Sequence, residues 1–268
     1  MVFGGDFCQT LLIVPGGICQ QVVAASLCRG NLWKNIKFFH FRHNMCLGYS
    51  EADDHHHIQW LLEISAGTTI DDSNMIQVPQ PMLCTDLNTL INRVYSRISH
   101  QGVKDDQYFL DYIIFCSRNN KVHNINETIL QQFNPGPNIE VHILRSVDSV
   151  FEENRMYHAY SIEFLQQLNT NRLSLALLCL KVGCPVILLR NLNPGEKLCN
   201  GTRMVVLNMR RKVLQYRIIN KDKRFAEEVI LIPRIRLLPN TKTLFVPLRR
   251  LQFLVRLAFA MTINKSQG

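Results

Sequence analysis

Between residues 178 and 238, short apolar runs are broken by turn residues every few positions, and this spacing constrains the fold more than any other feature of the chain. Leu178 to Leu189, Thr202 to Leu207, Val213 to Ile219 and Val229 to Ile235 each have the length and composition of a strand. Asn193-Pro194-Gly195, Asn200-Gly201 and a charged loop at 220–227 separate them. Short strands joined by tight turns pair with their sequence neighbours, so the segment predicts a small antiparallel barrel.

The pattern upstream is different. Thr85 is placed to cap a helix over 85–98, with Asp86 in its first turn and Leu87, Leu90, Ile91, Val94, Tyr95 and Ile98 on one face. Tyr108 to Cys116 read as a buried strand, and Asn120 to Phe133 as a helix stopped by Asn134-Pro135-Gly136-Pro137. Strand followed by helix is the unit of an α/β sheet. Weaker signals predict helices near 20–28 and 57–64 and a short strand at 38–41. The polar, turn-rich stretch 51–82 reads as a lobe boundary. Residues 255–263 are apolar on both faces and read as one final strand returning to the α/β sheet.

Thirty Lys and Arg against 21 Asp and Glu give a net charge of +9, which favours a polyanionic partner through counterion release. The basic residues crowd the C-terminal third, from Arg203 through Arg210-Arg211-Lys212 to Arg256, which sharpens that reading. Nine cysteines, none spaced C-x-x-C, support neither a zinc site nor a disulfide framework and imply reduced intracellular thiols. Met1 to Asp6 lack the pattern of a signal peptide, and no apolar run approaches membrane-spanning length.

Two short motifs carry chemistry. In Gly5-Asp6-Phe7-Cys8-Gln9, beside the apolar run Leu11 to Val14, the Gln9 amide can face a nucleotide γ-phosphate or an attacking water; an ordinary loop is the alternative. At the other end, Met261-Thr262-Ile263 runs into Asn264-Lys265-Ser266-Gln267-Gly268. Ser and Gln at the mouth of a buried strand can bond phosphate and sugar oxygens, and Lys265 adds positive charge. His55-His56-His57 is read as a solvated loop or helix start, since consecutive histidines cannot all face one ion from a regular element. Trp33, Trp60, Cys179 and Cys184 are read as packing residues.

Taken in order, these blocks resemble the PIF-type, RecD-like branch of superfamily-one DNA helicases, and within it the versions carried by Helitron-type transposons. The resemblance includes Gly4 to Val14, Ala24 to Leu27 with Leu32-Trp33, Asn44-Met45, Asn124-Ile125-Asn126-Glu127 and Phe164 to Leu168. Its most specific part is Leu180 to Pro194, followed by Leu198-Cys199-Asn200-Gly201-Thr202-Arg203, Ile232 to Ile235 and the terminal motif. It implies an α/β fold of partial RecA-like P-loop helicase lobes with a small SH3-like β-barrel insertion. Residues 1–50 would end the first lobe, 51–100 link, 101–177 open the second lobe, 178–238 form the barrel, and 239–268 return to the second lobe.

The resemblance also implies roles. Gln9 would be the γ-phosphate sensor, with Asp6 beside it as the other catalytic candidate. Thr262, Lys265, Ser266 and Gln267 would touch DNA, and Gln9, Gln267 and Gly268 the nucleotide. ATP and Mg²⁺ are the family's cofactors, single-stranded or forked DNA its partner, 5′-to-3′ unwinding its activity and the nucleus its setting; no membrane is involved. The Asn200-Gly201 pair also fits a turn with a purely structural role.

Departures qualify the expected activity. No G-x-x-x-x-G-K-[ST] occurs in the 268 residues, so no loop cradles phosphates. Cys8 and Cys46 stand where the family pattern has Arg. A helix should follow the terminal turn, so the chain reads as truncated at both ends and inactive as an ATPase on its own. The alternatives are a catalytically dead DNA-binding module and a decayed transposon relic.

Overall fold

The computed structural model describes residues 14, 17–25, 29–37, 39, 52–71, 73, 75–137, 139–150, 160–168, 174–219, 229–238 and 246–263. The chain divides into two compact units, Met1–Leu83 and Cys84–Gly268.

In the first unit, helix α1 (Cys19–Ala24) precedes a 3-10 turn (Asn31–Asn35) and helix α2 (Ala52–Ala66). The three histidines fall within α2. The ring of His57 stacks on Trp60 at 5.7 Å. Gly67, with φ 75°, ends α2 in a left-handed cap: its N–H bonds Ile64 C=O and Thr68 N–H bonds Glu63 C=O. The expected strand at 38–41 lies outside the described residues except for Phe39.

The second unit opens with α3 (Leu87–Val94), whose cap is Asp86 rather than Thr85. The Asp86 carboxylate accepts from both the Thr89 N–H and the Thr89 hydroxyl, at 2.9 and 2.8 Å, which holds its pKa below the usual value. The run 108–116 is not one strand. Asp105 caps a short helix α4 (Asp106–Asp111), and only Ile114–Cys116 extend, as β1. A helical turn lets the neighbouring Tyr108 and Phe109 both bury, where a strand would send them to opposite faces. Phe109 joins Phe133 and Phe259 in edge-on contacts at 6.4 and 6.1 Å. Helix α5 (Asn119–Gln132) follows β1, close to the expected span.

Strands β2 (His142–Arg145) and β3 (Val147–Val150), helix α6 (Ile162–Gln167) and β4 (Leu177–Leu180) come next. Then come β5 (Pro185–Leu188), β6 (Arg203–Met209), β7 (Val213–Ile218), β8 (Val229–Pro233) and β9 (Ile235–Leu237). The chain returns through β10 (Leu248–Gln252), β11 (Val255–Leu257) and β12 (Ala260–Thr262). Of the strands expected after 178, those at 202–207, 213–219 and 229–235 are present as β6, β7 and β8, whereas Leu178 to Leu189 is two strands, β4 and β5, joined by a turn at Gly183. Among the described residues a five-stranded ladder forms in the order β11-β5-β6-β7-β8. Strands β2 and β4 pair apart from it, as do β3, β10 and β9.

The expected last strand is also two. Strand β11 pairs antiparallel with β5, whereas β12 pairs parallel with β1, Thr262 lying opposite Cys116. The switch falls at Ala258-Phe259, both fully buried. There Ala258 N–H bonds Pro185 C=O, while Phe259 C=O accepts from Ile114 N–H and from the Tyr95 hydroxyl. Because every residue of 255–262 is apolar apart from Arg256 and Thr262, the break leaves no periodicity mark in the sequence.

A buried ion pair locks β10 to β3. The Arg250 guanidinium bonds both Asp148 oxygens at 2.8 to 3.1 Å, and its remaining N–H groups donate to Leu165 and Ser174 carbonyls. Full hydrogen bonding is what makes a charge tolerable at 0% exposure. Among the described residues no helix is long and apolar enough to cross a membrane.

Candidate functional site

Two parallel strands, β1 and β12, end side by side, and α5 starts immediately after one of them. In α/β folds ligands collect beyond the carboxyl ends of parallel strands, where helix N-termini present unpaired N–H groups. Here the N-cap residue Arg118 makes no side-chain cap to the first turn of α5. A cleft of about 520 Å³ opens at this point, walled by the start of α5, the ends of β5 and β12, and the loop that leads into β6.

Its polar lining is Asn119, Arg190, Asn191, Asn200, Arg256 and Thr262, set against an apolar floor that includes Val122, Ile187, Leu257 and Met261. The Asn191 carboxamide oxygen accepts the Asn200 N–H at 2.7 Å, clamping the loop across the cleft mouth. Gly201, with φ 103°, makes the turn that delivers the chain into β6, and Thr202 N–H bonds Cys199 C=O across it. The Asn200-Gly201 pair therefore does form a turn. Desolvation lowers the pKa of Arg256, the more enclosed of the two lining cations. Among the described residues no Asp or Glu lines the cleft, so these offer donors and positive charge to a polyanion and no carboxylate to a Mg²⁺ ion. Among the described residues, no group of three or more His, Cys, Asp or Glu is placed to hold a metal.

Of the residues singled out in the sequence, Thr262 stands at the end of β12 and lines the cleft. Asp6, Gln9, Lys265, Ser266, Gln267 and Gly268 lie outside the described residues. Sequence reasoning missed Asn119, Arg190, Asn191 and Arg256 as lining groups. Arg190 and Asn191 sit inside the block Leu180 to Pro194 that carried the resemblance, so their place there was a signal. Nothing local marked Arg256, which reads as one more basic residue in an apolar strand.

Against known protein families, residues 1–75 match the PIF1-like helicase model and residues 163–209 match the 2B domain of the DNA helicase Pif1. Over these two stretches the chain is similar to Pif1-like helicases. The 2B match covers α6 and the strands β4, β5 and the whole of β6, and so includes the loop with Arg190, Asn191 and Asn200. Comparison with curated proteins gave no match.

Solved structures similar to this chain include Pif1 helicase from Candida albicans, at 18% identity and a TM-score of 0.47 over 81% of this chain and 46% of that one. Unliganded Pif1 from Bacteroides sp is 23% identical, with a TM-score of 0.39 over 59% of this chain and 43% of the other. Pif1 helicase from Bacteroides in complex with ADP-AlF3 and ssDNA is 18% identical, with a TM-score of 0.41 over 65% and 35%. The chain spans less than half the length of each of these three.

Proposed function

We propose that the cleft beyond β12 grips the sugar-phosphate backbone of single-stranded or forked DNA as part of a Pif1-like helicase. The observation that carries this reading is the lining itself: among the described residues, two arginines, three asparagines and a threonine beside the start of α5, and no carboxylate. Such a lining neutralises phosphates and bonds their oxygens without selecting a base sequence. The motif Lys265-Ser266-Gln267 begins three residues after Thr262 and would add an ammonium, a hydroxyl and an amide to the donors offered to DNA.

In this reading Asp6 and Gln9 serve nucleotide chemistry, Gln9 against the γ-phosphate, and Gln267 and Gly268 are nucleotide-binding residues. Unwinding from 5′ to 3′ at the expense of ATP, with Mg²⁺, is then the activity to which the grip contributes. Hydrolysis also needs a phosphate-cradling loop that the 268 residues do not contain. These residues alone therefore bind DNA and do not turn over ATP.

Fluorescence anisotropy of a labelled oligothymidylate against salt tests the grip. Affinity should fall as salt rises, with a slope of about −0.7 for each phosphate neutralised. The double variant Arg190→Ala/Arg256→Ala should weaken binding and flatten that slope by about 1 to 2. Binding that ignores salt, or that survives the double variant unchanged, sinks the reading. DNA-stimulated ATP hydrolysis by the 268-residue chain would show that the ATPase half of it is wrong.

A further inference from the structure

Asn126 lies on α5 about two turns beyond Asn119 and is 4% exposed. Its carboxamide oxygen accepts the Ala260 N–H, and its amino group donates to the Ala260 C=O, each at 2.9 Å. The neighbouring Phe259 C=O is taken by Ile114 N–H on the β1 side. In a parallel ladder successive residues point their polar groups to alternate edges, so those of Ala260 face away from β1. The Asn126 side chain stands where the peptide group of another strand would stand, and it satisfies both atoms.

The spacing of Asn119, Val122 and Asn126 puts all three on one face of α5. The first two line the cleft with Met261 and Thr262, and the third holds the residue just before them. Sliding β12 by one residue, about 3.3 Å, would break both amide bonds at once and turn every side chain to the opposite face. Helix and strand are thereby held in a single register at the cleft wall.

We propose that Asn126 is a positioning residue for the DNA grip: it touches no ligand, and by holding Ala260 it sets where Met261 and Thr262 stand at the cleft. This rests on the cleft binding DNA, as argued above. Replacement should therefore weaken DNA binding by a chain that is still folded, which a residue needed only for stability would not do.

The test compares the full 268-residue wild type with Asn126→Ala, Asn126→Asp and Arg190→Ala/Arg256→Ala. Oligothymidylate binding is read by anisotropy, and folding by circular dichroism on the same samples. Folded Asn126→Ala should bind on the order of tenfold more weakly, because donor geometry at a site tolerates little displacement. Asn126→Asp should bind weakly at about pH 8, where a carboxylate meets the Ala260 carbonyl, and recover relative to wild type towards about pH 5, where a protonated carboxyl again donates. That recovery is read within one protein, so it stands even if the alanine variant does not fold.

Wild-type affinity in folded Asn126→Ala, or an Asn126→Asp affinity that tracks wild type at both pH values, overturns the positioning role. If the double arginine variant still binds weakly in that case, the function reading survives. A wild-type chain that does not bind the oligonucleotide overturns the function reading and this one with it.

Discussion

The Asn126 carboxamide and the Ala260 peptide groups exchange two hydrogen bonds of 2.9 Å across a sequence separation of 134 residues. Strand β12 is thus held on one side by β1 and on the other by a side chain of α5. Removing that side chain strands one buried N–H and one buried C=O, each costing about 1–3 kcal/mol. Asn126→Ala should destabilise the second unit by about 2–4 kcal/mol, read as a lower urea midpoint with an unchanged slope.

Two arginine–aspartate pairs separate burial from mere proximity. The side chains of Arg250 and Asp148 are both fully buried, whereas those of Arg217 and Asp106 are 29% and 18% exposed. Asp148→Ala leaves an enclosed guanidinium without its counter-ion and should cost about 3–5 kcal/mol. Asp106→Ala frees a cation that water can reach and should cost about 1 kcal/mol or less. Equal shifts in denaturation midpoint for the two variants would contradict this ordering.

Burial pushes the Cys184 thiol up to about 12. Below about pH 8.5 the thiol is protonated in folded and unfolded chains alike, so the full stability is present. Above that, the unfolded chain ionises first and draws the equilibrium towards itself, by up to about 1.4 kcal/mol per pH unit, until the folded thiol titrates too. The stability of wild type relative to Cys184→Ala should therefore decline as pH rises from about 8.5 towards 12. A difference that stays flat over this window would show that the thiol is not held protonated.

Gly183 turns the chain from β4 into β5 with φ 84°, and a β-carbon there would meet Pro135 at 3.4 Å and Phe133 at 3.5 Å. The space is ordinary; the backbone conformation is not. Gly183→Ala should cost about 1–2 kcal/mol, the penalty of a side chain in the left-handed region. Thermal unfolding followed by circular dichroism measures it, and an unchanged midpoint would refute the strain.

Much of the fold was legible in local patterns. Helix α5 was bounded by a strand before it and Asn134-Pro135 after it, and the turn at Gly201 was marked by its glycine; the turn at Gly183, inside a run read as one strand, was not. Strands β6, β7 and β8 showed in short apolar runs between polar turns. Where an apolar run was continuous, type was not legible: Tyr108 to Cys116 holds a helix and a strand, because packing of Tyr108 and Phe109 overrides a pattern that suits either.

What the sequence determined by itself was the kind of elements and the family blocks, because turn residues, caps and charge act through near neighbours in the chain. The cleft was decided only in three dimensions. Its walls come from Asn119, Arg190-Asn191, Asn200, Arg256 and Thr262, stretches that meet because β11 joins one sheet and β12 another. That switch depends on which partner offers Ala258, Phe259 and Ala260 their hydrogen bonds. Pro185, Arg203, Ile114, Tyr95 and Asn126 supply them, and none is a neighbour in sequence.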